Sequence, residues 1–470
     1  MLPTALVWFR RDLRLADNPA LQAALQAGYC PVPVYIHAPA EEAPWQPGAA
    51  SNAWLHRSLQ ALQQSLASRG SDLVISSGPS LATLQQLAAA CGAQAVFWNR
   101  RYEPAIHQRD AAIKQALREA GLHVASFNGR LLAEPWQLMS GQGSPYKVFT
   151  PYWKALAPRL QLPPAAPAPA QLPPLPAPAL AAGQPLASLG LQSAINWDRG
   201  FWDLADPGEA GAGDTLDTFI EGALHGYAAQ RDLPDRVGTS RLSPHLHFGE
   251  IAPWKVVHAL GAARTAANGN DVDAWIRELG WRDFAHYTLH HFPHSARQDL
   301  NDRFKRMAWR EPDPAFLASW QEGRTGVPIV DAGMRELWHT GWMHNRVRMI
   351  VGSWLCKHMR LHWRHGATWF WDTLVDADLA SNTLGWQWIA GTGVDAAPYF
   401  RIFNPVSQAR KFDPHGRYIA RWVPELAGLP AQARHAPWEH GGATGYPAGP
   451  NVELAQGRAA ALAAYKATGS

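Results

Sequence analysis

The sequence predicts two domains of different class, a parallel α/β domain at the N-terminus and a mostly helical domain after it. In the first third of the 470 residues, short apolar runs alternate with amphipathic stretches, the order typical of a parallel sheet covered by helices. A stretch rich in proline and alanine follows, and beyond residue 197 apolar residues recur at helical spacing. A chain of this length is also too long for one compact core.

Five apolar runs are predicted as the strands of a parallel, Rossmann-like sheet in a domain of residues 1–131. They are Ala5–Phe9, Val32–Ile36, Leu73–Ser76, Ala95–Trp98 and Val124–Phe127. The predicted helices between them, several ending at a glycine C-cap, are Asn18–Gly28, Trp54–Gly70, Leu81–Gly92 and Ile106–Gly121. No GxGxxG or GxxxxGK[ST] motif opens any of these helices, so the sequence offers no standard dinucleotide or P-loop site here.

Residues 132–200 are predicted to link the domains. Ten prolines interleaved with alanine dominate 158–190, a composition that favours an extended, semi-rigid spacer. Residues 201–470 form the second domain, where Val330, Met334, Leu337 and Trp338 repeat at the spacing of one helical face.

The composition excludes several classes of protein. Hydrophobic residues make up 47% and charged residues 17%, as in an ordinary globular protein, and no apolar run approaches the ~20 residues that cross a bilayer. Met1–Arg14 combines a strand with charge and has no small-residue cleavage site, so we expect no signal peptide. Three distant cysteines indicate a reducing compartment, and the protein is expected to be cytoplasmic and monomeric.

Histidine spacing raises the possibility of a metal site, which we reject. His286, His290 and His294 have ligand-like spacing, but Pro293 should end the helix before His294. No carboxylate completes a known catalytic set. The sequence therefore predicts packed or surface histidines and no metal.

The distribution of charge indicates nucleic-acid binding, and the number of tryptophans indicates stacking or electron transfer. The net charge is +4, and five basic residues with no acidic one fall between Arg346 and Arg364, with five more between Arg401 and Arg421. Such clusters suit a phosphate backbone, although a solvated helix face would have the same composition. The 23 tryptophans suggest stacking or electron transfer, with core packing as the ordinary alternative.

Two short segments have side chains suited to a ligand. Gly238–Ser243 (GTSRLS) combines hydroxyls and an arginine, which suits a phosphate or, more simply, a helix N-cap. Glu278, Trp281 and Arg282 share one helical face. They could grip a base by hydrogen bonds and stacking, or form an ordinary Glu–Arg pair beside a core tryptophan.

Helical geometry separates residues two positions apart by about 200°. Arg346 and Arg348 should therefore face opposite sides, one toward solvent or DNA and the other toward Asp376 or Asp378. Trp386 and Trp388 should likewise have different roles, one inward and one toward a cavity.

Seven motifs make the chain resemble the photolyase/cryptochrome family nearly from end to end. The opening Trp8–Pro19 (WFRRDLRLADNP) is similar to the family's first strand and turn. The others are Tyr227–Arg231 with Thr239–Ser243, Glu278–Phe284 (ELGWRDF), Gly323–Leu337 (GRTGVPIVDAGMREL), Trp342–Met349 (WMHNRVRM), Asp376–Trp388 (DADLASNTLGWQW) and Asp395–Pro405 (DAAPYFRIFNP).

The resemblance implies that the all-α C-terminal domain, rather than the α/β domain, binds FAD. The implied phosphate and ribityl contacts are Tyr227, Thr239, Ser240, Arg241, Leu242 and Ser243. The implied isoalloxazine contacts are Arg282, Arg348, Asp376, Asp378 and Asn382, with Arg348 paired to Asp376 and Asn382 at the reactive ring nitrogen. The implied electron-transfer chain is Trp309, Trp363 and Trp386.

The resemblance also implies a DNA repair reaction on UV-damaged DNA, with no obligatory protein partner. Trp281 and Trp388 would stack on a flipped-out cyclobutane pyrimidine dimer beside Asn345, Arg346 and Arg401. Reduced FADH⁻, excited by blue light, would donate an electron that splits the dimer, with Glu278, Asn382 and Met349 as catalytic residues. Glu278 is expected to be buried and protonated.

Within the family, Asn345–Arg346 and Met349 resemble class I cyclobutane-dimer photolyases. The alternatives are a blue-light cryptochrome without repair activity and a tryptophan-rich DNA-binding protein without pigment. A second antenna chromophore, methenyltetrahydrofolate or a deazaflavin, is expected in a cleft beside the α/β domain.

Overall fold

The N-terminal domain is a five-stranded parallel sheet with helices on both faces. In the computed structural model, which describes residues 2–396 and 400–469, the strand order is β3-β2-β1-β4-β5. The strands are β1 (Thr4–Phe9), β2 (Cys30–His37), β3 (Val74–Ser77), β4 (Ala93–Asn99) and β5 (His123–Phe127). The helices of this domain are α1 (Pro19–Gln26), α2 (Ala49–Ala67), α3 (Ser80–Cys91) and α4 (Pro104–Glu119). The predicted fold class is confirmed for this part of the chain.

The start of α2 is set by a contact between domains. The sequence predicted a helix from Trp54, yet α2 begins at Ala49, whose backbone N–H donates to Asp372 Oδ1 at 2.9 Å. A carboxylate from the helical domain thus satisfies an N–H that a local N-cap would otherwise serve. No pattern near residue 49 could have predicted a partner 323 residues away.

The segment after β5 is packed against the domains and is not a free spacer. Leu172 and Ala179 are buried against the α/β domain, and the backbone of Gln184 donates to Ile75 at 2.8 Å. Helix α5 (Phe149–Leu156) packs on the helical domain through Phe284. The prolines of the predicted linker set an extended path, and apolar side chains between them bind it to the sheet.

The remaining chain is helical, as predicted. Its elements are α6 (Ala177–Ala181), α7 (Glu209–Glu221), α8 (Tyr227–Gln230), α9 (Ser243–Phe248), α10 (Pro253–Ala262), α11 (Gly269–His291), α12 (Pro314–Gln321), α13 (Pro328–Thr340), α14 (Asn345–Ser353), α15 (Trp363–Thr373), α16 (Leu379–Ala390), α17 (Pro405–Phe412), α18 (Arg417–Trp422), α19 (Ala431–His435) and α20 (Leu454–Ala467). A π-helical turn, Trp354–His358, follows α14. Across 2–396 and 400–469, no helix is long and apolar enough to cross a membrane.

Helices α13 to α16 enclose the main core of the second domain. Trp320, Trp354, Trp363 and Trp386 are all buried in it. Most of these tryptophans therefore supply packing volume, whatever other roles they have.

Candidate functional site

Arg282, Arg348, Asp376, Asp378 and Asn382 are together called the pocket floor. This group is built around an ion pair between α14 and the segment before α16. Arg348 Nη2 lies 2.9 Å from Asp376 Oδ2, and its Nε donates to the carbonyl of Met343 at 2.8 Å. Arg346, two residues earlier, points away and binds Asp232 at 2.7 Å. The predicted divergence of the two arginines is confirmed.

Asp378 is a buried carboxylate that meets three cationic or ionisable groups. It caps α16 by accepting from the backbone of Ser381 at 2.9 Å, and its Oδ2 lies 3.4 Å from His286 Nε2 and 3.5 Å from Arg130 Nη2. Burial alone would raise the pKa of Asp378, but His286, His247 and Arg130 hold that pKa well below its usual value. The carboxylate is therefore ionised at neutral pH.

Asn382 lies one helical turn after Asp378 and is half-buried. Its Nδ2 donates to the carbonyl of Ala367 on α15 at 3.0 Å. This bond orients the amide and leaves its oxygen available to a ligand.

Arg282 does not pair with Glu278, although the two are four residues apart on α11. It donates instead to the carbonyls of Arg130 at 2.6 Å and Leu246 at 3.2 Å. Burial, together with the nearby Arg130, lowers the pKa of Arg282. The ordinary helix-pair alternative is therefore wrong.

The segment 239–243 forms a polar turn at the other end of the pocket. Arg241 has a φ of 54°, its guanidinium lies 5.6 Å from the ring of Trp342, and Trp342 Nε1 donates to Ser243 Oγ at 3.3 Å. Arg241 Nε is buried and has no hydrogen-bond partner within the described ranges. Tyr227 is buried nearby with Arg231 5.4 Å from its ring.

Glu278 is not deeply buried. Its side chain is 33% exposed and forms a 2.5 Å ion pair with Arg231 Nη1, the arrangement of a charge-assisted pair. The expectation of a buried Glu278 is therefore wrong. Its partner lies 47 residues away and could not be recognised from helical spacing.

Two half-buried indoles stand at the mouth of the pocket. Trp281 stacks on Phe149, with ring centroids 3.7 Å apart and planes 13° apart, so one face of this indole is already covered. The guanidinium carbon of Arg401 lies 5.5 Å from the ring centre of Trp388. Trp386 lies in the core, so the two tryptophans face different surroundings, as predicted. Asn345 is exposed at the start of α14, and Met349 is half-buried one turn later.

Arg401, which contacts Trp388, borders a cavity of about 560 Å³. Arg346, Arg401 and Lys411 line it beside Phe412, over which Arg346 stacks at 4.3 Å. Asp232 is the acidic member of the lining. Part of the motif Asp395–Pro405 borders this region, but Ala397–Tyr399 lie outside the described residues.

The predicted tryptophan chain forms a path from the core outward. Trp386 lies against Gly366, one turn after Trp363 on α15, and Trp363 Nε1 donates to Asp299 at 2.7 Å. The ring of His362 lies 5.5 Å from Trp363 and 5.1 Å from the half-buried Trp309. His362 and Asp299 were not predicted, since neither belongs to the motifs.

A second polar cleft lies at the carboxyl ends of β1 and β2, near the point where the strand order reverses. Such edges are the usual ligand sites of parallel sheets. Arg11, Tyr35, His37 and Arg101 line it, and Arg101 forms ion pairs with Glu42 and Glu103. Trp8 Nε1 and Arg11 Nη1 are buried there without a partner in the described part of the chain.

Other groups of the site were not predicted as site residues. Phe149 backs Trp281 and Arg130 reaches Asp378, and neither belongs to a motif. Arg231, which ends the motif Tyr227–Arg231, pairs with Glu278. Each comes from a segment distant in sequence, and only the aromatic-rich run around Phe149 carries a compositional hint. No group of three or more His, Cys, Asp or Glu suited to a metal occurs within 2–396 and 400–469.

Comparison with known proteins agrees with this geometry. Residues 5–175 match the family model "DNA photolyase", and residues 275–467 match "FAD binding domain of DNA photolyase". A deoxyribodipyrimidine photo-lyase of Agrobacterium fabrum is 48% identical over 92% of this chain and 90% of its own. Cryptochrome-1 of Arabidopsis thaliana is 39% identical over 92% of this chain and 64% of its own.

The structural comparison bears on the subclass. The crystal structure of a class III photolyase from Agrobacterium tumefaciens matches with a TM-score of 0.94 and 44% identity, covering 100% of this chain and 98% of that one. The class I assignment is not confirmed, because the photolyase structure that matches over the whole chain is of class III. With family models matching residues 5–175 and 275–467 and a relative 48% identical over 92% of this chain, the chain belongs to the DNA photolyase/cryptochrome family and carries the family's FAD-binding domain.

Proposed function

We propose that the chain is a class III photolyase that uses blue light to split cyclobutane pyrimidine dimers in UV-damaged DNA. The observation that carries this proposal is the set of side chains around one cavity. Arg346, Arg401 and Asp232 line it, Arg401 contacts Trp388, and Arg231, next to Asp232, pairs with Glu278, one turn before Trp281 on α11. Stacking surfaces, a hydrogen-bonding carboxylate and phosphate-binding cations are what an enzyme needs to receive a pyrimidine dimer taken out of a duplex.

The residues of the pocket floor fit FAD. Arg241 Nε and His344 Nε2 are buried donors without partners among the described residues, and phosphate or ring oxygens of FAD would satisfy such donors. Tyr227 and Thr239–Ser243 would hold the phosphate end, and Arg282, Arg348, Asp376, Asp378 and Asn382 would surround the ring. Bound as FADH⁻ and excited by light, FAD would supply the electron that opens the cyclobutane ring and later returns.

Glu278 and Arg231 would recognise the dimer together. The carboxylate of Glu278 accepts hydrogen bonds, so it suits the ring N–H groups of the pyrimidines, and the guanidinium of Arg231, which is only 25% exposed, suits their carbonyl oxygens. When the dimer binds, hydrogen bonds from Glu278 and Arg231 to the lesion would replace part of the bonding between these two side chains. Donors near the carbonyl oxygens would also stabilise negative charge that develops on the dimer.

Trp281 and Trp388 would hold the dimer by stacking. Phe149 supports one face of Trp281, which leaves the other face for the lesion, and Arg401 holds Trp388 at the rim. Met349 and Asn345 would line the cavity between them. A rigid, backed indole loses little entropy when it binds.

Trp386, Trp363 and Trp309 would carry electrons from the surface to FAD. Their order from the core to a half-buried position supports this role, as does the contact of Trp386 with α15 near Asn382's partner Ala367. The second cleft, with its unpartnered Trp8 and Arg11 donors, is the proposed antenna site.

A blue-light cryptochrome without repair is the second candidate, favoured by the 39% identity to Cryptochrome-1 over 92% of this chain. Both candidates bind FAD, so pigment alone does not separate them. Repair of a defined lesion does.

The test is a repair assay with a matched pair of variants. The purified protein is incubated with an oligonucleotide carrying one thymine dimer under blue light and in the dark, and remaining dimer is quantified by chromatography. We expect light-dependent loss of dimer, and Glu278→Gln should slow it by about ten- to a hundredfold, the effect of losing a charged hydrogen bond. Flavin content should stay unchanged, because Glu278 pairs with Arg231 at the mouth.

Asp273→Asn is the control. Asp273 lies on α11, as Glu278 does, and forms an ion pair with Arg264, which precedes that helix. Both side chains are exposed, so the repair rate of the variant should equal that of the parent protein. Absence of light-dependent dimer loss in the parent protein would reject the photolyase assignment in favour of the cryptochrome. Loss of flavin from Glu278→Gln would reject the substrate-facing role of Glu278.

A further inference from the structure

Asp378 is a point where the two domains meet. Its Oδ1 is engaged by the helix it caps, whereas Oδ2 faces His286 of α11 and Arg130. Arg130 belongs to the α/β domain: it lies three residues after the end of β5. The carboxylate that the proposed function puts beside the flavin ring therefore has a counter-ion from the other domain.

The backbone around Arg130 is held firmly. Its N–H donates to Asn128 Oδ1 at 3.1 Å, and its carbonyl accepts from Arg282 Nη1 at 2.6 Å. The preceding Gly129 packs so closely that a Cβ there would lie 2.7 Å from Asn99. The side chain of Arg130 therefore extends to Asp378 from a well-ordered backbone position.

The guanidinium of Arg130 has more donors than partners. The side chain is 2% exposed, and its Nε and Nη1 have no hydrogen-bond partner anywhere in 2–396 and 400–469. Its one polar side-chain contact, at 3.5 Å to Asp378, is long. A buried guanidinium with unmet N–H groups is costly, which points to acceptors that this chain does not itself supply.

Two buried guanidinium groups, those of Arg130 and Arg282, lie near the ionised carboxylate of Asp378. Glu103 also lies near Arg130, but it is paired with Arg101, and Asp283 accepts from the backbone of Ala133. The unmet N–H groups of Arg130 therefore remain open to an anion, and FADH⁻ is one.

We propose that Arg130 is a positioning residue of the flavin site, supplied by the α/β domain, which holds Asp378 and stabilises the anionic reduced flavin. The inference rests on the proposed function only in the position of the flavin beside Asp378. It makes domain docking part of the electrostatics of the pocket.

The test compares Arg130→Met and Arg130→Lys with Arg14→Met. Arg14 is a matched control: it is equally buried at the same seam, where it donates to the carbonyls of Gly129 and Gly249. The measurements are the ratio of reduced to oxidised flavin at a fixed potential, read by absorbance against a redox dye in the dark, the affinity of the apoprotein for FAD, and the midpoint of urea unfolding.

Arg130→Met should lower the reduced-to-oxidised ratio by about tenfold, the size expected when one charge several ångströms away is lost from an interior of effective dielectric about 20. Arg130→Lys, which keeps the charge, should stay within about twofold. Arg14→Met should lose stability but keep the parent ratio. If Arg130→Met retains too little flavin for the titration while Arg14→Met retains it, the loss of FAD affinity supports the same role.

Equal ratios in Arg130→Met, Arg14→Met and the parent protein would overturn the proposal and leave Arg130 a structural tie. This outcome is distinct from failure of the proposed function, since neither the ratio nor FAD affinity depends on repair of DNA. A parent protein that binds FAD but repairs nothing would reject the photolyase and leave the inference about Arg130 standing.

Discussion

Charged side chains of the site differ in function according to the partners that they contact. Arg346 and Arg348 are two residues apart, yet one binds Asp232 at the mouth and the other binds Asp376 on the pocket floor. Helical geometry predicts that divergence, and it also predicts the separation of Trp386 from Trp388. It could not predict the partners of Glu278 and Asp378, since Arg231 and Arg130 come from other segments.

Glu336 shows how a buried acid next to the pocket should respond to pH. It lies on α13, is 7% exposed, and accepts from Tyr418 Oη at 2.7 Å. Burial raises its pKa to about 7, above its value in the unfolded chain. Below the unfolded pKa of about 4.3 the residue is neutral in both states. As pH rises toward 7, Glu336 ionises first in the unfolded state, which stabilises that state relative to the folded one.

Glu336→Gln should therefore change the pH dependence of stability. The amide keeps an acceptor for Tyr418 but cannot ionise, so the variant should gain stability relative to the parent protein between pH 5 and 8, by up to about 3 kcal/mol. Urea unfolding at several pH values measures this difference. A difference that stays constant from pH 5 to 8 would show that Glu336 ionises with an ordinary pKa.

At the scale of elements, the crossing of α15 and α16 sets the depth of the pocket. Trp386 on α16 lies over Gly366 on α15, and a Cβ at residue 366 would be 2.0 Å from Cη2 of the indole. The sequence predicts a helical domain here from apolar spacing. It does not reveal that Gly366 is required for close approach, because a helical glycine is also tolerated at an open position.

Gly366→Ala and Gly385→Ala form a pair that tests this contact. Gly385 is exposed in α16 with no atom within 4 Å of its would-be Cβ. Gly385→Ala should stabilise the protein by about 0.5–1 kcal/mol through lower backbone entropy, whereas Gly366→Ala should destabilise it by about 1–3 kcal/mol through overpacking. Urea unfolding measures both. Stabilisation by both substitutions would mean that Trp386 can move away at no cost.

At the scale of the molecule, the two domains share one buried polar network. Trp54 of α2 is 1% exposed and donates from Nε1 to Glu250 Oε1 at 3.0 Å, while Glu250 Oε2 lies 2.5 Å from His245 Nδ1. Arg14 and Arg130 cross the same seam. The domain order was predictable from alternating strands and helices, but this seam was not, because its partners are about two hundred residues apart.

Trp54→Phe should weaken docking more than an equivalent change inside one domain. It shortens a packed side chain and leaves Glu250 Oε1 buried without its donor, which together should cost about 2–4 kcal/mol. Trp8→Phe is the matched control: Trp8 is equally buried on β1, but its Nε1 has no partner in the described part of the chain, so only the packing loss of about 1–2 kcal/mol applies.

Urea unfolding followed by circular dichroism and by tryptophan fluorescence should give one transition in the parent protein, because the seam couples the domains. Trp54→Phe should lower the midpoint further than Trp8→Phe and separate the two probes. Equal losses with coincident probes would mean that the Trp54–Glu250 bond contributes nothing to docking, and that packing alone holds the α/β domain against the flavin-binding helices.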